Sequence, residues 1–328
     1  MAHRLAITPW WPLRECRPPV YSGGLSTPCV CGLTDVTGKT AYLNGRYLPL
    51  AEAKISPLDR GFLFGDGAYE VVPVYSRRPF RLDEHLRRLQ TTLDGIRLPN
   101  PHNAEEWKAI VLHVIAEADF ADQSVYIEVT RGADSKRDQA FPIGVAPTIF
   151  VFTSPLITPT LEQRESGIAV ISAVDIRWGR CDLKTVALLA NVLMRQLAVD
   201  AGCAETIMLR DGYLTEGAAS NIFVVQDGVI LAPPKDHRML SGITYDVVLE
   251  LAAQHGMPHQ VRPIAEAELR SADELWMTSS TKEVLAITTL DGQPVGKGAG
   301  AGRPGPILRR MYDWYCAFHD EVSRRADA

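Results

Sequence analysis

Asp59-Arg60-Gly61-Phe62-Leu63-Phe64-Gly65-Asp66-Gly67-Ala68-Tyr69-Glu70 is the stretch on which the reading of this chain turns. Its glycines permit tight turns and close backbone approach, and they deliver Tyr69 at the head of an extended run. That run, Tyr69 to Tyr75, has the composition of a strand, and Pro73 inside it points to a sheet edge or a bulge. Just upstream, Ala41-Tyr42-Leu43 and Arg46-Tyr47-Leu48 flank Asn44-Gly45, the turn pair of a type I′ hairpin. Residues 1–39 are rich in Pro, Gly, Ser, Thr and Cys without a sustained period, which predicts a poorly ordered extension.

Downstream, Leu86, Leu89, Leu93 and Ile96 recur at helical spacing within 83–97, and 104–118 repeats that pattern. Strands are expected over 125–130 and 148–153. The Pro-rich stretch from Ser154 to Pro159 then divides the chain. The expected organisation is a small N-terminal domain over 40–154, a connector at 155–160 and a larger C-terminal domain over 161–328. In the second part, strand 168–173 precedes a strongly apolar helix expected from Lys184 to Asp200 and closed by Gly202. Hairpins turn at Arg210-Asp211-Gly212 and Gln226-Asp227-Gly228. A helix over 243–255 ends at Gly256, a strand is expected over 275–278, and a last helix over 307–324. The run from Gly296 to Gly305 reads as a connector. Helices grouped between runs of hairpins argue for an α+β fold rather than a doubly wound parallel sheet.

Composition excludes several classes. At 328 residues with 46% hydrophobic and 22% charged residues, the chain is an ordinary globular sequence. A net charge of −5 gives no basic stripe for a nucleic acid. No apolar run approaches the ~18 residues of a membrane span. The first residues lack the core and cleavage site of a secretory signal, so a cytoplasmic location is expected. Cys16, Cys29, Cys31, Cys181, Cys203 and Cys316 form no disulfide framework. Cys29-Val30-Cys31 has no second Cys or His pair at ligand spacing, so no metal is expected.

Several polar residues sit where an apolar pattern does not demand them. Arg180-Cys181-Asp182-Leu183-Lys184-Thr185 leads into the apolar helix, where a lysine would be held partly out of water, which favours a Schiff base. Lysines at helix starts are ordinarily solvated, so the segment alone decides nothing. Leu214-Thr215-Glu216-Gly217-Ala218-Ala219-Ser220-Asn221 joins two hairpin strands, and a lone glutamate there is ordinarily a solvated turn residue. Ser241-Gly242-Ile243-Thr244 opens a helix whose free N–H groups suit a phosphate, although such starts are usually only caps. Ser279-Ser280-Thr281 supplies hydroxyl and amide donors just after a strand.

Taken together and in this order, the Asp59–Glu70 string, the Lys184 segment, the Glu216 segment, the Ser241–Thr244 helix start and the Thr278–Thr281 cluster resemble the class IV aminotransferases, pyridoxal-phosphate enzymes of fold type IV. The resemblance runs from about Tyr42 to the C-terminus and is greatest to the D-amino-acid transaminases. It implies a two-domain architecture with a small α/β domain and a larger β-barrel-like domain, holding pyridoxal 5′-phosphate between them. It further implies that Lys184 forms the internal aldimine and moves the proton between the substrate α-carbon and cofactor C4′, and that Glu216 faces the pyridine nitrogen. Arg88, beside the easily confused Arg87, would clamp the phosphate with Ile243, Thr244, Ser279 and Ser280, and Leu240 would pack beneath the ring.

For the substrate, the segment from Thr130 to Pro142 resembles the family's carboxylate-binding loop, contributed across a homodimer interface. Tyr69 and Arg137 match that site, whereas Gln139 stands where the D-amino-acid transaminases carry histidine, in a loop one residue longer. Glutamine still donates a hydrogen bond but adds no positive charge. The expected reaction is transfer from a D-alanine-like D-amino acid to a 2-oxo acid by a ping-pong course. The departure at Gln139 leaves branched-chain L-amino-acid aminotransferase, 4-amino-4-deoxychorismate lyase and an amine-preferring transaminase open. Outside enzymology, a cofactor-binding protein without turnover is the remaining reading.

Overall fold

The computed structural model describes residues 39–325, with side chains to Asp320. The extension expected at 1–39, with the Cys29-Val30-Cys31 pair, lies outside the described residues apart from Lys39.

Strands β1 (Thr40–Leu43) and β2 (Arg46–Pro49) form the expected hairpin. Asn44 at φ 49° and Gly45 at φ 88° are the two left-handed residues a type I′ turn requires. The Asp59–Glu70 string contains a short helix that its composition does not announce, α1 (Arg60–Phe64). The Asp59 carboxylate accepts from the Gly61 N–H at 2.8 Å at its start, and Gly65 at φ 67° ends it. The chain then enters β3 (Gly67–Tyr75), β4 (Arg78–Pro79), helices α2 (Leu82–Gly95) and α3 (Ala104–Ala116), and strands β5 (Gln123–Thr130) and β6 (Thr148–Pro155). These strands make one antiparallel sheet in the order β2-β1-β6-β5-β3-β4. On the outer side of β3 the two-residue β4 pairs at Val74 and Tyr75 and leaves Pro73 without a strand partner there, so Pro73 does stand on an edge stretch.

Alternation sorts the faces of this sheet. Val125, Ile127 and Val129, each two apart, pack with Val72 and Val74 against Leu86, Leu89, Leu93, Trp107 and Val111 of the two helices. Glu70 shares that covered face and is buried, while Tyr69 and Val71 project from the other side.

The second half comprises α4 (Leu161–Ser166), β7 (Ile168–Val174), α5 (Leu189–Asp200), β8 (Glu205–Arg210), β9 (Tyr213–Gly217), β10 (Asn221–Gln226), β11 (Val229–Ala232) and α6 (Ile243–Gln254). It continues through β12 (His259–Val261), α7 (Glu266–Arg270), β13 (Glu274–Ser279), β14 (Glu283–Leu290), β15 (Gln293–Pro294) and α8 (Pro306–Arg325). Its sheet runs β12-β11-β10-β13-β14-β7-β8-β9, with β15 beside β14. The inner strands are apolar on both faces. Ile222, Val224, Leu275, Met277, Leu285 and Ile287 point into one core, and Phe223, Val225, Trp276, Val284 and Ala286 into another under α6 and α8. Strand β9 runs into β10 through three residues, with the Gly217 N–H donating to the Ser220 carbonyl at 2.7 Å, so the outer strand returns to the sheet's middle and the sheet curls. The α+β class holds.

One expected element is corrected. The helix placed over 184–200 begins only at Leu189. Residues 184–186 are instead recruited by the open edge of β3: the Tyr69 N–H donates to the Lys184 carbonyl at 3.0 Å, and the Val186 N–H to the Gly67 carbonyl at 3.1 Å. β-branched Thr185 and Val186 suit that extended bridge better than a first helical turn.

Candidate active site

Lys184 is pinned through its main chain. Besides its link to Tyr69, its N–H donates to the Thr92 hydroxyl of α2 at 3.1 Å. The side chain therefore leaves a fixed backbone, half-buried, with Nζ 4.0 Å from the centre of the Tyr69 ring. Tyr69 stacks in turn on Tyr126 across the sheet.

Glu216 lies on β9 and is buried. Its Oε1 accepts from the Arg177 guanidinium and from the Leu240 N–H at 3.2 Å, and its Oε2 from Asn221 Nδ2 at 3.2 Å. Burial pushes the Glu216 carboxyl up to about 7, prevailing over the lowering effect of Arg177. Arg177 is locked by Asp175, donating from Nε and Nη2 at 2.9 and 2.8 Å. Burial of Asp175 opposes its ionisation, but those bonds hold it below the ordinary carboxylate range.

A different chemistry collects at the start of α6. Arg88 donates from Nε and Nη2 to the two oxygens of Glu70, both at 2.8 Å, and from Nη1 to the Ser241 carbonyl at 2.8 Å. A guanidinium has five N–H donors, so this leaves two for another acceptor. Its neighbour Arg87 points outward to Glu84. Burial of Glu70 is outweighed by Arg88 and by His85, whose Nδ1 is 2.8 Å away, so its carboxyl stays far below the usual range. No side chain caps α6 at Gly242, and the first N–H groups of a helix have no partner within it. Opposite, Thr278 Oγ1 is fully buried without a hydrogen-bond partner.

These features face one cavity of about 520 Å³, lined by Tyr69, Arg88, Lys184, Glu216, Leu240, Ile243, Thr244, Ser279 and Ser280 among others. Every cofactor-site residue expected from the sequence is thus on its wall. Arg137 and Gln139 are not: both are exposed on the loop between β5 and β6. Arg60 fastens that loop through the carbonyls of Gln139 at 3.1 Å and Ala140 at 3.2 Å, and the Arg137 guanidinium lies 5.2 Å from the centre of the Phe64 ring. Sequence reading missed Arg177, Trp178 and Asn191 on the wall, and it gave Thr278 only as the first residue of its cluster. The available signal was Asp175-Ile176-Arg177-Trp178, an acid and a base two apart where an apolar strand runs out.

The described helices include none long and apolar enough to cross a membrane. Residues 67–290, more than half of the chain, match the family model "Amino-transferase class IV". The chain is 37% identical to the D-alanine aminotransferase of Bacillus licheniformis over 82% of its own length and 93% of that protein's. Toward the D-alanine aminotransferase of Staphylococcus epidermidis, identity is again 37%, covering 82% of this chain and 94% of that one. Among solved structures, the Escherichia coli branched-chain amino acid aminotransferase superposes with a TM-score of 0.79 at 25% identity, over 84% of this chain and 93% of that one. The branched-chain amino acid aminotransferase of Thermoproteus uzoniensis, solved with norvaline, gives 0.73 at 25% identity, over 84% and 93%. Another branched-chain amino acid aminotransferase, solved with pyridoxamine 5′-phosphate, gives 0.78 at 27% identity, over 85% and 93%. With this coverage and the conjunction of lysine, buried carboxylate and uncapped helix start on one cavity, the chain belongs to the class IV aminotransferases.

Proposed function

We propose that the chain transfers the amino group of a D-amino acid of the D-alanine kind to a 2-oxo acid, in two half-reactions at one site. The observation that carries this is a single cavity walled by both Lys184 and a buried Glu216. The D-amino-acid preference is supported by relatives named D-alanine aminotransferase at 33–37% identity. Against it stand the branched-chain enzymes among the solved structures, at 25–27%.

Enzymes of this class depend on pyridoxal 5′-phosphate, and the residues present fit it. The orphaned Thr278 hydroxyl and the uncapped start of α6 await an acceptor, and Glu216 is a buried acceptor at another part of the wall. When bound, the cofactor supplies an aldehyde that takes up the amino group and a ring that withdraws electrons from the substrate α-carbon. Arg88, Ile243, Thr244, Ser279 and Ser280 hold its phosphate, with two guanidinium N–H groups and the helix amides as donors. Glu216 holds a proton at the ring nitrogen, Leu240 packs against the ring, and Arg177 with Asn221 keeps the carboxylate in line. Lys184 would be the amine that tethers the cofactor through its aldehyde, and its Nζ, when free, would take the α-proton and return it.

The protein is proposed to work as a cytoplasmic homodimer, a reading that the free Cys181, Cys203 and Cys316 and the exposed apolar side of α5 support. Arg137 and Gln139 then serve the partner's cavity together with that subunit's Tyr69. The domain division, 40–154 and 161–328 about a connector at 155–160, is supported by two sheets drawn from 40–155 and 168–294.

A donor panel tests the reading. With pyruvate withheld and 2-oxoglutarate as acceptor, D-alanine should yield pyruvate in a lactate-dehydrogenase-coupled assay, and L-leucine, followed through the glutamate formed from the acceptor, should give no turnover. Lys184→Ala should abolish the activity, and Arg137→Ala should lower kcat/KM for D-alanine at least about tenfold. Faster turnover of L-leucine than of D-alanine would overturn it in favour of the branched-chain reading. Pyruvate released from aminodeoxychorismate without any acceptor would indicate the lyase, and absence of turnover with every amine a mere binder.

A further inference from the structure

The turn between β13 and β14 carries Ser279, Ser280 and Thr281 on the cavity wall, and it closes on an unusual residue. Glu283 pairs with Ser279 across the turn and has φ 56°, a left-handed conformation that a glutamate adopts only at a cost. Its side chain is largely withdrawn from water. It is 8% exposed, with Oε2 accepting from Arg164 of α4 at 2.6 Å and Oε1 accepting from the hydroxyl of Tyr75, the last residue of β3, at 3.2 Å. Arg164 itself lies over the Tyr312 ring of α8 at 4.7 Å. A buried carboxylate thus ties one end of a cavity-lining turn to three separate elements, α4, β3 and, through Arg164, α8. Neither Glu283 nor its partners line the cavity.

We infer that Glu283 is a positioning residue for phosphate recognition: its buried carboxylate, anchored on Arg164 and Tyr75, sets the Ser279–Thr281 turn so that its hydroxyl and amide groups converge with the start of α6. The strained backbone is the reason an anchor is needed. A turn that closes through a left-handed glutamate relaxes to another shape unless something outside the turn fixes its end, and a desolvated ion pair with a rigid guanidinium does so. The inside of the turn adds one bond, Lys282 N–H to Ser279 Oγ at 3.1 Å, which orients the first serine. This inference rests on the reading of the cavity as the cofactor site.

The test uses the full-length protein stripped of cofactor and compares pyridoxal 5′-phosphate with pyridoxal, which lacks the phosphate, by spectral titration. In Glu283→Gln the dissociation constant for pyridoxal 5′-phosphate should rise at least tenfold while that for pyridoxal changes less than twofold. Inorganic phosphate, which should raise the thermal midpoint of the native protein, should lose that effect. Glu283→Gly removes the backbone strain together with the carboxylate, so it should weaken pyridoxal 5′-phosphate binding clearly less than Glu283→Gln does. An equal weakening toward both ligands, native affinity in Glu283→Gln, or a loss in Glu283→Gly as large as in Glu283→Gln overturns the inference. Arg88→Gln separates the two layers. If it loses phosphate selectivity and the Glu283 variants keep theirs, the positioning role alone fails; if Arg88→Gln also keeps it, the cavity does not hold the phosphate there and the underlying reading fails.

Discussion

Burial and Arg177 act on the Glu216 carboxyl in opposite directions, and burial prevails, so that the group titrates at about 7 instead of 4.5. A carboxyl whose folded pKa lies above its unfolded value favours the fold in its protonated form. Its contribution is fully present below about 4.5 and is lost as pH rises through 7. The span corresponds to roughly 3 kcal/mol at most. Thermal melts of the cofactor-free protein between pH 5 and 8 should therefore decline more steeply for the native chain than for Glu216→Gln, which cannot titrate. With cofactor bound, a ring nitrogen bearing the shared proton should flatten the native curve. Parallel curves for the two cofactor-free proteins would mean that Glu216 is not the desolvated carboxyl described. The strings around Lys184 and Glu216 pointed to two residues that share one cavity wall, whereas Arg88, on the same wall, followed only from the family resemblance, since the sequence does not tell it from Arg87. Arg177 was missed because the acid and base two apart in Asp175-Ile176-Arg177 announce their own pair but not the reach of the guanidinium to Glu216 on β9.

Lys184 projects from an extended bridge, not a helix, and that changes what supports it. Its position depends on the outer edge of β3 and on the Thr92 hydroxyl in α2, both far away in sequence. Helical periodicity saw the apolar residues from Leu189 onward and extended the pattern backward. It could not see that a neighbouring strand edge would compete for the N–H and C=O groups of 184–186, since edge pairing is a tertiary fact. The same blindness hid α1, whose five residues are too few for a period to register. Thr92→Val removes the acceptor and leaves the Lys184 N–H unpaired in a covered place, a cost of about 1–3 kcal/mol. Because a small displacement of a reacting group is expensive, kcat with D-alanine should fall ~10-fold or more while KM moves little, and Thr92→Ser should restore it. An unchanged kcat in Thr92→Val would show that the lysine needs no such support.

At the scale of the molecule, two features go unused within one chain. Helix α5 buries only Met194 and Ala198, yet it exposes Leu189 (72%), Val192 (58%), Leu193 (47%) and Val199 (51%), more apolar surface than a lone helix face usually leaves to water. The loop bearing Arg137 is fastened by Arg60 but does not line its own chain's cavity. The α+β class was readable from hairpin and helix patterns; a use for the exposed loop was suggested by the family resemblance alone, because a two-fold assembly leaves no period in a sequence. A homodimer with a shared loop accounts for both features and has an arithmetic consequence. In a dimer of a Lys184→Ala subunit with an Arg137→Ala subunit, one site combines a native Lys184 with a native Arg137 from its partner, and the other lacks both. Co-expression in equal amounts yields hybrids as about half of all dimers, so about a quarter of the sites should work although each parent is impaired. Differently tagged subunits allow the hybrid to be purified, where about half the native kcat with D-alanine is expected. If each loop served its own chain, both sites of the hybrid would carry one lesion apiece, and activity would not exceed the mean of the parents.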